Sequence, residues 1–334
     1  MYQGSDAMTQ AVGIRGKVGA SISDLASLWP TPEQVGEKPL VWVNGHLVPK
    51  NKAMVSVYDH GLLYGDGVFE GIRIYNGKIF KLMSHMERLY RCAEKLEMKI
   101  PITIEQMVAV QRACVEANGI KDGYIRLVVS RGAGTLGLDP RRCPVPGVIC
   151  IADQIRLYEA KFYESGMRVV VAKRPKTPVA CLDPRIKSLN YLNNILAKVE
   201  AIKAGCDEAI MLTSDNWVAE CTGDNIFVVK GGQVFTPPNV TGVSGSLEGV
   251  TQKFVRDELC AAVGVTCTVK EMRLEEVLAA DEVFLTGTAA EIIGVNQIDH
   301  AGKPHKISDG EGPITKKLRM RFRAVVSQDD VPED

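Results

Sequence analysis

The sequence predicts an α+β chain of two domains. Asn-Gly pairs at Asn44-Gly45 and Asn76-Gly77 each lie between two apolar runs, the strongest short-range sign of a β-hairpin. Between and after them, apolar residues recur at helical spacing. The second half carries short strand-like runs at Glu208–Thr213, Trp217–Ala219, Asn225–Val229 and Gln233–Phe235. Turn residues Asp215-Asn216 and Gly231-Gly232 separate them, which reads as an antiparallel meander.

The length of 334 residues suits one large or two medium domains. Hydrophobic residues make up 46% and charged residues 24%, an ordinary globular balance. Lys plus Arg and Asp plus Glu both number 40, so bulk charge favours neither nucleic acid nor an anionic membrane as partner. No run of eighteen apolar residues predicts a membrane span, and the first residues lack the charged and apolar regions of a signal peptide. The 9 cysteines include no C-x-x-C pair, which fits a reducing cytoplasm rather than a disulfide framework.

Residues 1–38 show weak periodicity and are expected to form a poorly ordered extension, with a short helix near Ile22–Leu28. A smaller α/β domain is expected over 39–155. It opens with Leu40–Val43, Asn44-Gly45 and His46–Val48, and a second hairpin joins Gly71–Tyr75 to Lys78–Leu82. A helix from about Ser84 presents Met86, Leu89, Ala93 and Leu96 on one face. Thr103 with Gln106 three residues on marks a capping box and a second helix. Tyr124–Ser130 and Val148–Ala152 read as strands. Residues 156–175 are expected to connect the domains, with a strand near Val169–Ala172. The larger domain, 176–334, adds to the meander a helix from about Gly249 to Val263, strands at Thr268–Glu271 and Glu282–Leu285, and a last helix over Ile314–Val325. No repeat of twenty to fifty residues is present.

The stretch Arg185-Ile186-Lys187-Ser188-Leu189-Asn190-Tyr191-Leu192-Asn193-Asn194 is the chemical focus. Leu192, Ile195, Leu196, Val199 and Ile202 share one helical face, and Gly205 stands where a helix C′ glycine belongs. Lys187 is therefore expected on the turn entering the helix, with Asn190 and Tyr191 beside it as polar groups able to orient a ring. A lysine in a narrow, partly apolar site loses its proton readily and forms Schiff bases. The plain reading of any single lysine is a solvated charge.

Gly132-Ala133-Gly134-Thr135-Leu136-Gly137 has the G-x-G-x-x-G form, but Pro140, Pro144 and Pro146 forbid the helix a dinucleotide site requires. It is read as a glycine loop. The five histidines at 46, 60, 85, 300 and 305 share no metal-ligand spacing.

Seven runs occur in one order: Tyr64-Gly65-Asp66-Gly67-Val68-Phe69-Glu70-Gly71, His85-Met86-Glu87-Arg88-Leu89, Tyr124-Ile125-Arg126, Ile186-Lys187-Ser188-Leu189-Asn190-Tyr191, Glu220-Cys221-Thr222-Gly223-Asp224-Asn225, Gly249-Val250-Thr251 and Gly287-Thr288-Ala289-Ala290-Glu291-Ile292. Together they resemble the class IV aminotransferases, the fold-type-IV pyridoxal-phosphate enzymes, over about Leu40 to Val325. The Tyr-Ile-Arg and Gly-Thr-Ala-Ala-Glu-Ile pieces look most like the branched-chain amino acid aminotransferases. The resemblance implies an active site at the interface of two domains, and transamination of leucine, isoleucine and valine with 2-oxoglutarate through a Schiff base of pyridoxal 5'-phosphate on Lys187. It further implies that Tyr191 bonds the cofactor's phenolic oxygen, that Glu220 pairs with its ring nitrogen, and that Arg88, Val250, Thr251 and Thr288 hold its phosphate. Tyr64, Phe69, Tyr124, Arg126, Leu138, Thr288 and Ala289 are the implied substrate contacts. Tyr64 and the Leu138 loop are implied to reach the site of the other subunit, which makes a homodimer necessary.

Two departures from the family pattern stand out. Cys221 replaces the usual glycine after the acid, which strains the backbone if φ is positive there. Leu247-Glu248-Gly249-Val250-Thr251-Gln252 puts an acid at the phosphate turn and loses the arginine of the common Gly-Ile-Thr-Arg. A D-amino acid aminotransferase or an aminodeoxychorismate lyase of the same fold are the alternatives, and Tyr124, Arg126 and the Gly-Thr-Ala-Ala run speak against both.

Overall fold

The computed structural model describes residues 30–155, 160–239, 243–328 and 330–334. Two sheets organise it. The first has the order β2-β1-β6-β5-β3-β4, every neighbour antiparallel. Its strands are β1 (Leu40–Val43), β2 (His46–Pro49), β3 (Gly67–Tyr75), β4 (Lys78–Ile79), β5 (Gly123–Ser130) and β6 (Gly147–Asp153). Asn44 and Asn76, with φ of 48° and 51°, and Gly45 and Gly77, with 96° and 77°, make the two-residue turns. Both positions at positive φ give the twist that a hairpin needs, which is why Asn-Gly marks them.

Side chains alternate along β3. Val68, Ile72 and Ile74 join Ile125, Leu127 and Val129 of β5 in a core covered by helices Leu82–Lys95 and Ile104–Asn118. The capping box of Thr103 and Gln106 is formed. The opposite face of β3 and β5 carries Phe69, Gly71, Tyr124 and Arg126, the groups that the site uses.

The second sheet comprises β7 (Met167–Val171), β8 (Glu208–Leu212), β9 (Val218–Cys221), β10 (Asn225–Lys230), β11 (Gln233–Thr236), β12 (Cys267–Val269), β13 (Glu282–Gly287), β14 (Glu291–His300) and β15 (Lys303–Lys306). It runs β12-β11-β10-β13-β14-β7-β8-β9, with β15 paired to β14. The meander expectation holds only within the β8–β9 and β10–β11 hairpins. β9 ends the sheet while β10 enters its middle beside β13, and β7 pairs in parallel with both β8 and β14. Short-strand spacing specifies local hairpins and says nothing of the crossover that separates them. The connector boundary also shifts, because β7 and helix Ala160–Ser165 lie within 156–175 yet β7 is an interior strand of the second sheet.

Residues 30–38, assigned to the extension, include a capped turn of helix at Pro32–Val35. The expected helix near Ile22–Leu28 lies outside the described residues. Gly205 takes φ 68° after helix Leu192–Lys203, as its position suggested. The apolar stripe of that helix does not face the core. Ala197 and Ala201 are buried instead, while Leu192 is 66% exposed and Ile195 and Ile202 also face outward. Small residues let the helix sit close on its sheet, and periodicity alone could not tell which stripe did so.

Candidate active site

Lys187 lies on a segment that bridges the two sheets. Phe69 N–H donates to Lys187 O at 3.0 Å, and Leu189 N–H donates to Gly67 O at 2.9 Å. Lys187 N–H also donates to Cys92 Sγ at 3.4 Å. The lysine therefore leaves the second half of the chain already fixed against β3. Its Nζ stands 4.7 Å from the Phe69 ring centroid and 3.3 Å from the Tyr191 hydroxyl. Phe69 and Tyr191 pack edge to face at 5.0 Å. Burial, reinforced by the positive charge of Arg88, lowers the Lys187 ammonium to about 8. Burial pushes the Tyr191 phenol up, so it remains a hydroxyl donor.

Arg88 is 4% exposed, so it is not a solvated helix arginine. The structure corrects where its fork points. Nε and Nη2 donate to Glu70 Oε1 and Oε2 at 2.8 and 2.7 Å, and Nη1 donates to Glu248 O at 2.7 Å. Glu70 is fully buried on β3 and also contacts His85 Nδ1 at 2.8 Å. Burial alone would raise its carboxyl, but Arg88 and then His85 overcome that and hold it well below the usual carboxylate range. The bidentate geometry expected for a phosphate is thus spent on a buried carboxylate. Two of the five N–H groups of the guanidinium, one on Nη1 and one on Nη2, are not used in these bonds.

Glu220, next to last in β9, has its carboxylate held on both oxygens. Oε1 is 2.5 Å from Lys176 Nζ, while Oε2 accepts from Asn225 Nδ2 at 3.1 Å and from Leu247 N–H at 3.0 Å. Asn225 Nδ2 donates as well to Leu247 O at 2.9 Å. A Cβ on Gly249 would come within 2.0 Å of Asn225 Oδ1, so glycine is needed for this close approach. Leu247 is therefore pinned by Glu220 and Asn225, and Glu248 by Arg88, with Gly249 packed close against Asn225. The pinned turn delivers Val250 and Thr251, both buried, to the start of a helix. That helix runs over Val250–Phe254 and continues through a π-turn at Val255–Leu259 to Cys260–Ala262. Its N-cap Gly249 offers no side-chain cap, which leaves first-turn N–H groups suited to an anion.

Both departures from the family pattern are accommodated. Cys221 is a buried strand residue and is absent from the positive-φ positions, so no backbone strain arises. Glu248 turns its carboxylate to Arg91 Nη2 at 2.5 Å, on the helix that carries Arg88. Gln252 faces the interior, donating to Thr236 Oγ1 at 2.9 Å and accepting from Asn239. It fastens the helix to β11 and does not replace an arginine in a phosphate cradle.

The substrate candidates divide. Arg126 lies over Phe69 at 4.6 Å, and its Nη2 donates to Tyr124 Oη at 3.3 Å. A Cβ on Gly71 would fall 1.7 Å from that hydroxyl, so the absence of a side chain there seats Tyr124 flat on β3. Thr288 and Ala289 form the half-buried turn between β13 and β14. Tyr64 and Leu138 instead join each other on the outer face. Gly137 N–H donates to Tyr64 Oη at 3.0 Å, and Leu138 is 79% exposed. The Gly132–Gly137 loop opens no helix, and a short 3-10 turn at Pro140–Arg142 follows it. Among the described residues no His, Cys, Asp and Glu group could hold a metal ion.

Sequence reasoning missed Glu70 and Lys176 as site members. Glu70 was legible in principle, since it stands at a core-facing position of β3 and His85 and Arg88 present two nitrogen donors three apart on a helix. Lys176 lies in irregular chain and carries no local signal.

Known proteins of the same fold resemble this chain. Residues 67–298 match the family described as amino-transferase class IV. A Methanocaldococcus jannaschii protein assigned as a branched-chain-amino-acid aminotransferase is 45% identical over 85% of this chain and 96% of its own. A D-alanine aminotransferase of Listeria monocytogenes is 33% identical over 84% and 94%. The crystal structure of the T.th. branched-chain amino acid aminotransferase with pyridoxamine 5'-phosphate superposes with TM-score 0.81 at 33% identity, covering 87% of this chain and 96% of that one. The chain belongs to the class IV aminotransferases, pyridoxal-phosphate-dependent transaminases, and its likeness within them is to the branched-chain amino acid enzymes.

Proposed function

We propose that this chain transfers the amino group of leucine, isoleucine or valine to 2-oxoglutarate, with Lys187 as the residue that carries the cofactor and moves the proton. The observation that carries the reading is the buried amine of Lys187, lowered to about 8 and set between Phe69 and the Tyr191 hydroxyl. An amine in that state serves as nucleophile and then as general base near neutral pH. Pyridoxal phosphate, when bound, supplies the electron sink. Glu220 is the carboxylate for its ring nitrogen and Tyr191 the donor to its phenolic oxygen. The N–H groups at Val250 and Thr251, with the remaining donors of Arg88 and the Thr288 hydroxyl, answer its phosphate.

Phe69 and Tyr191 line an apolar wall for the branched side chain. Tyr124 and Arg126 stand at its rim, where an acidic side chain is received, and Thr288 and Ala289 close the carboxylate end. Tyr64 and Leu138, exposed with Leu62 and Leu136, fit a face that a second copy covers, each copy lending the pair to the other's site. Among the described residues the cysteines are free and no helix is long and apolar enough to cross a membrane. A reducing cytoplasm suits those thiols.

The D-alanine reading is favoured by the Listeria relative. A coupled transamination assay over L- and D-amino acids decides between them. Preference for L-leucine, L-isoleucine and L-valine supports the proposal. Preference for D-alanine, or pyruvate release without an acceptor, overturns it.

A further inference from the structure

Glu220 has a feature that the assignment of roles does not use. A carboxylate offers about four acceptor sites, and three of them are filled: Lys176 Nζ at 2.5 Å on Oε1, and Asn225 Nδ2 and Leu247 N–H on Oε2. Oε2 is saturated. One acceptor direction on Oε1 remains. Lys176 is only 4% exposed, and its backbone N–H donates to Leu212 O at 2.7 Å, tying the irregular stretch after β7 to the end of β8. A buried ammonium is retained where a buried carboxylate needs it, because either charge alone is costly.

We propose that Lys176 is a positioning residue for the cofactor's ring nitrogen, acting through Glu220: it fixes the carboxylate so that the single open direction of Oε1 meets the ring. The inference rests on the reading of Glu220 as the ring-nitrogen partner. Asn225 and Leu247 N–H set Oε2 and Lys176 sets Oε1, so the group cannot turn freely. Without Lys176, Oε1 has two open directions and the carboxylate lacks its buried counter-charge.

The test is a chemical double-mutant cycle on binding, with no turnover. Apo forms of the parent, Lys176→Met, Lys176→Arg and Glu220→Gln are titrated by absorbance with pyridoxal phosphate and with its 1-deaza analogue, which has C–H in place of the ring nitrogen. The parent is expected to favour the natural cofactor. Lys176→Met should narrow that preference roughly ten-fold, the size typical of losing a supporting partner behind a ligand-binding group, and Lys176→Arg should keep most of it. Equal loss for both cofactors in Lys176→Met means a merely structural role and overturns the proposal, as does tighter binding of the natural one. If Lys176→Met does not fold, the arginine variant decides: parental discrimination supports the proposal and its loss contradicts it. Glu220→Gln separates the two ideas. If it keeps the parental preference, the reading of Glu220 is wrong and the proposal falls with it. If it loses the preference while Lys176→Met keeps it, only the role of Lys176 is wrong.

Discussion

The inner and outer ends of the site are built in opposite ways. At the inner end, Arg88 with Glu70, and Lys176 and Asn225 with Glu220, are buried and bonded, and Lys187 is fixed against β3. At the outer end, Tyr64 and Leu138 stand on an exposed apolar face, where the Tyr64 hydroxyl accepts from Gly137 N–H and its ring packs on His60. The inner groups are set before any ligand arrives, which is what differential binding of a charged cofactor requires. The outer face lacks a cover in a single chain. The lesson is that one half of the chemistry is intrinsic to the fold, while the other half is the part that the proposed dimer would complete.

The largest expected effect breaks the inner end. Glu70→Ala strands Arg88 and His85 in the interior, and removing one partner of a buried pair costs about 3–5 kcal/mol. Urea unfolding of the variant should show that loss, whereas an exposed acid would show almost none. Arg88→Ala comes next. It frees the Leu247–Gly249 turn as well as removing a cation, and should weaken cofactor binding by roughly ten- to a hundredfold. Excess pyridoxal phosphate should restore much of the activity. Lysine should rescue only in part, since one ammonium cannot reach both Glu70 oxygens and Glu248 O together.

A pH series sharpens the role of Lys187. Its ammonium is lowered to about 8, so the free amine predominates above that pH and becomes scarcer below it. Stopped-flow capture of pyridoxal phosphate by the apoprotein should therefore speed up by about tenfold per pH unit below 8 and level off above it. A profile still climbing at pH 10 would mean that the lysine is solvated. The smallest effect on folding belongs to the outer end. Leu138→Glu should change the stability of one chain by no more than about 0.5 kcal/mol, yet shift sedimentation from dimer to monomer and lower activity with it. Full activity in a monomeric variant would remove the outer end from the account.

Much of the first sheet was legible because its signals are local. Asn-Gly turns and the Thr103–Gln106 box each specify structure within a few residues. The second sheet was not, since the position of β9 at its edge and of β7 in its interior depends on crossovers that no short pattern encodes. The same division runs through the site. Lys187 announced itself by standing at the entry to a helix. The partner of the Arg88 fork did not, because an arginine reads alike beside a phosphate and beside a buried carboxylate. The outward stripe of Leu192, Ile195 and Ile202 shows the limit from another side: an apolar face can await a neighbour beyond the chain.

Two lysines, the half-buried Lys187 and the buried Lys176, flank this centre, and the proposals give them different work: one to hold the cofactor, the other to brace Glu220. Borohydride reduction of the cofactor-loaded protein, followed by digestion and mass mapping, fixes the cofactor covalently to the lysine that holds it. The phosphopyridoxyl label is expected on the peptide carrying Lys187, with none on Lys176. A label on Lys176, or on any other lysine, would contradict the roles given to both.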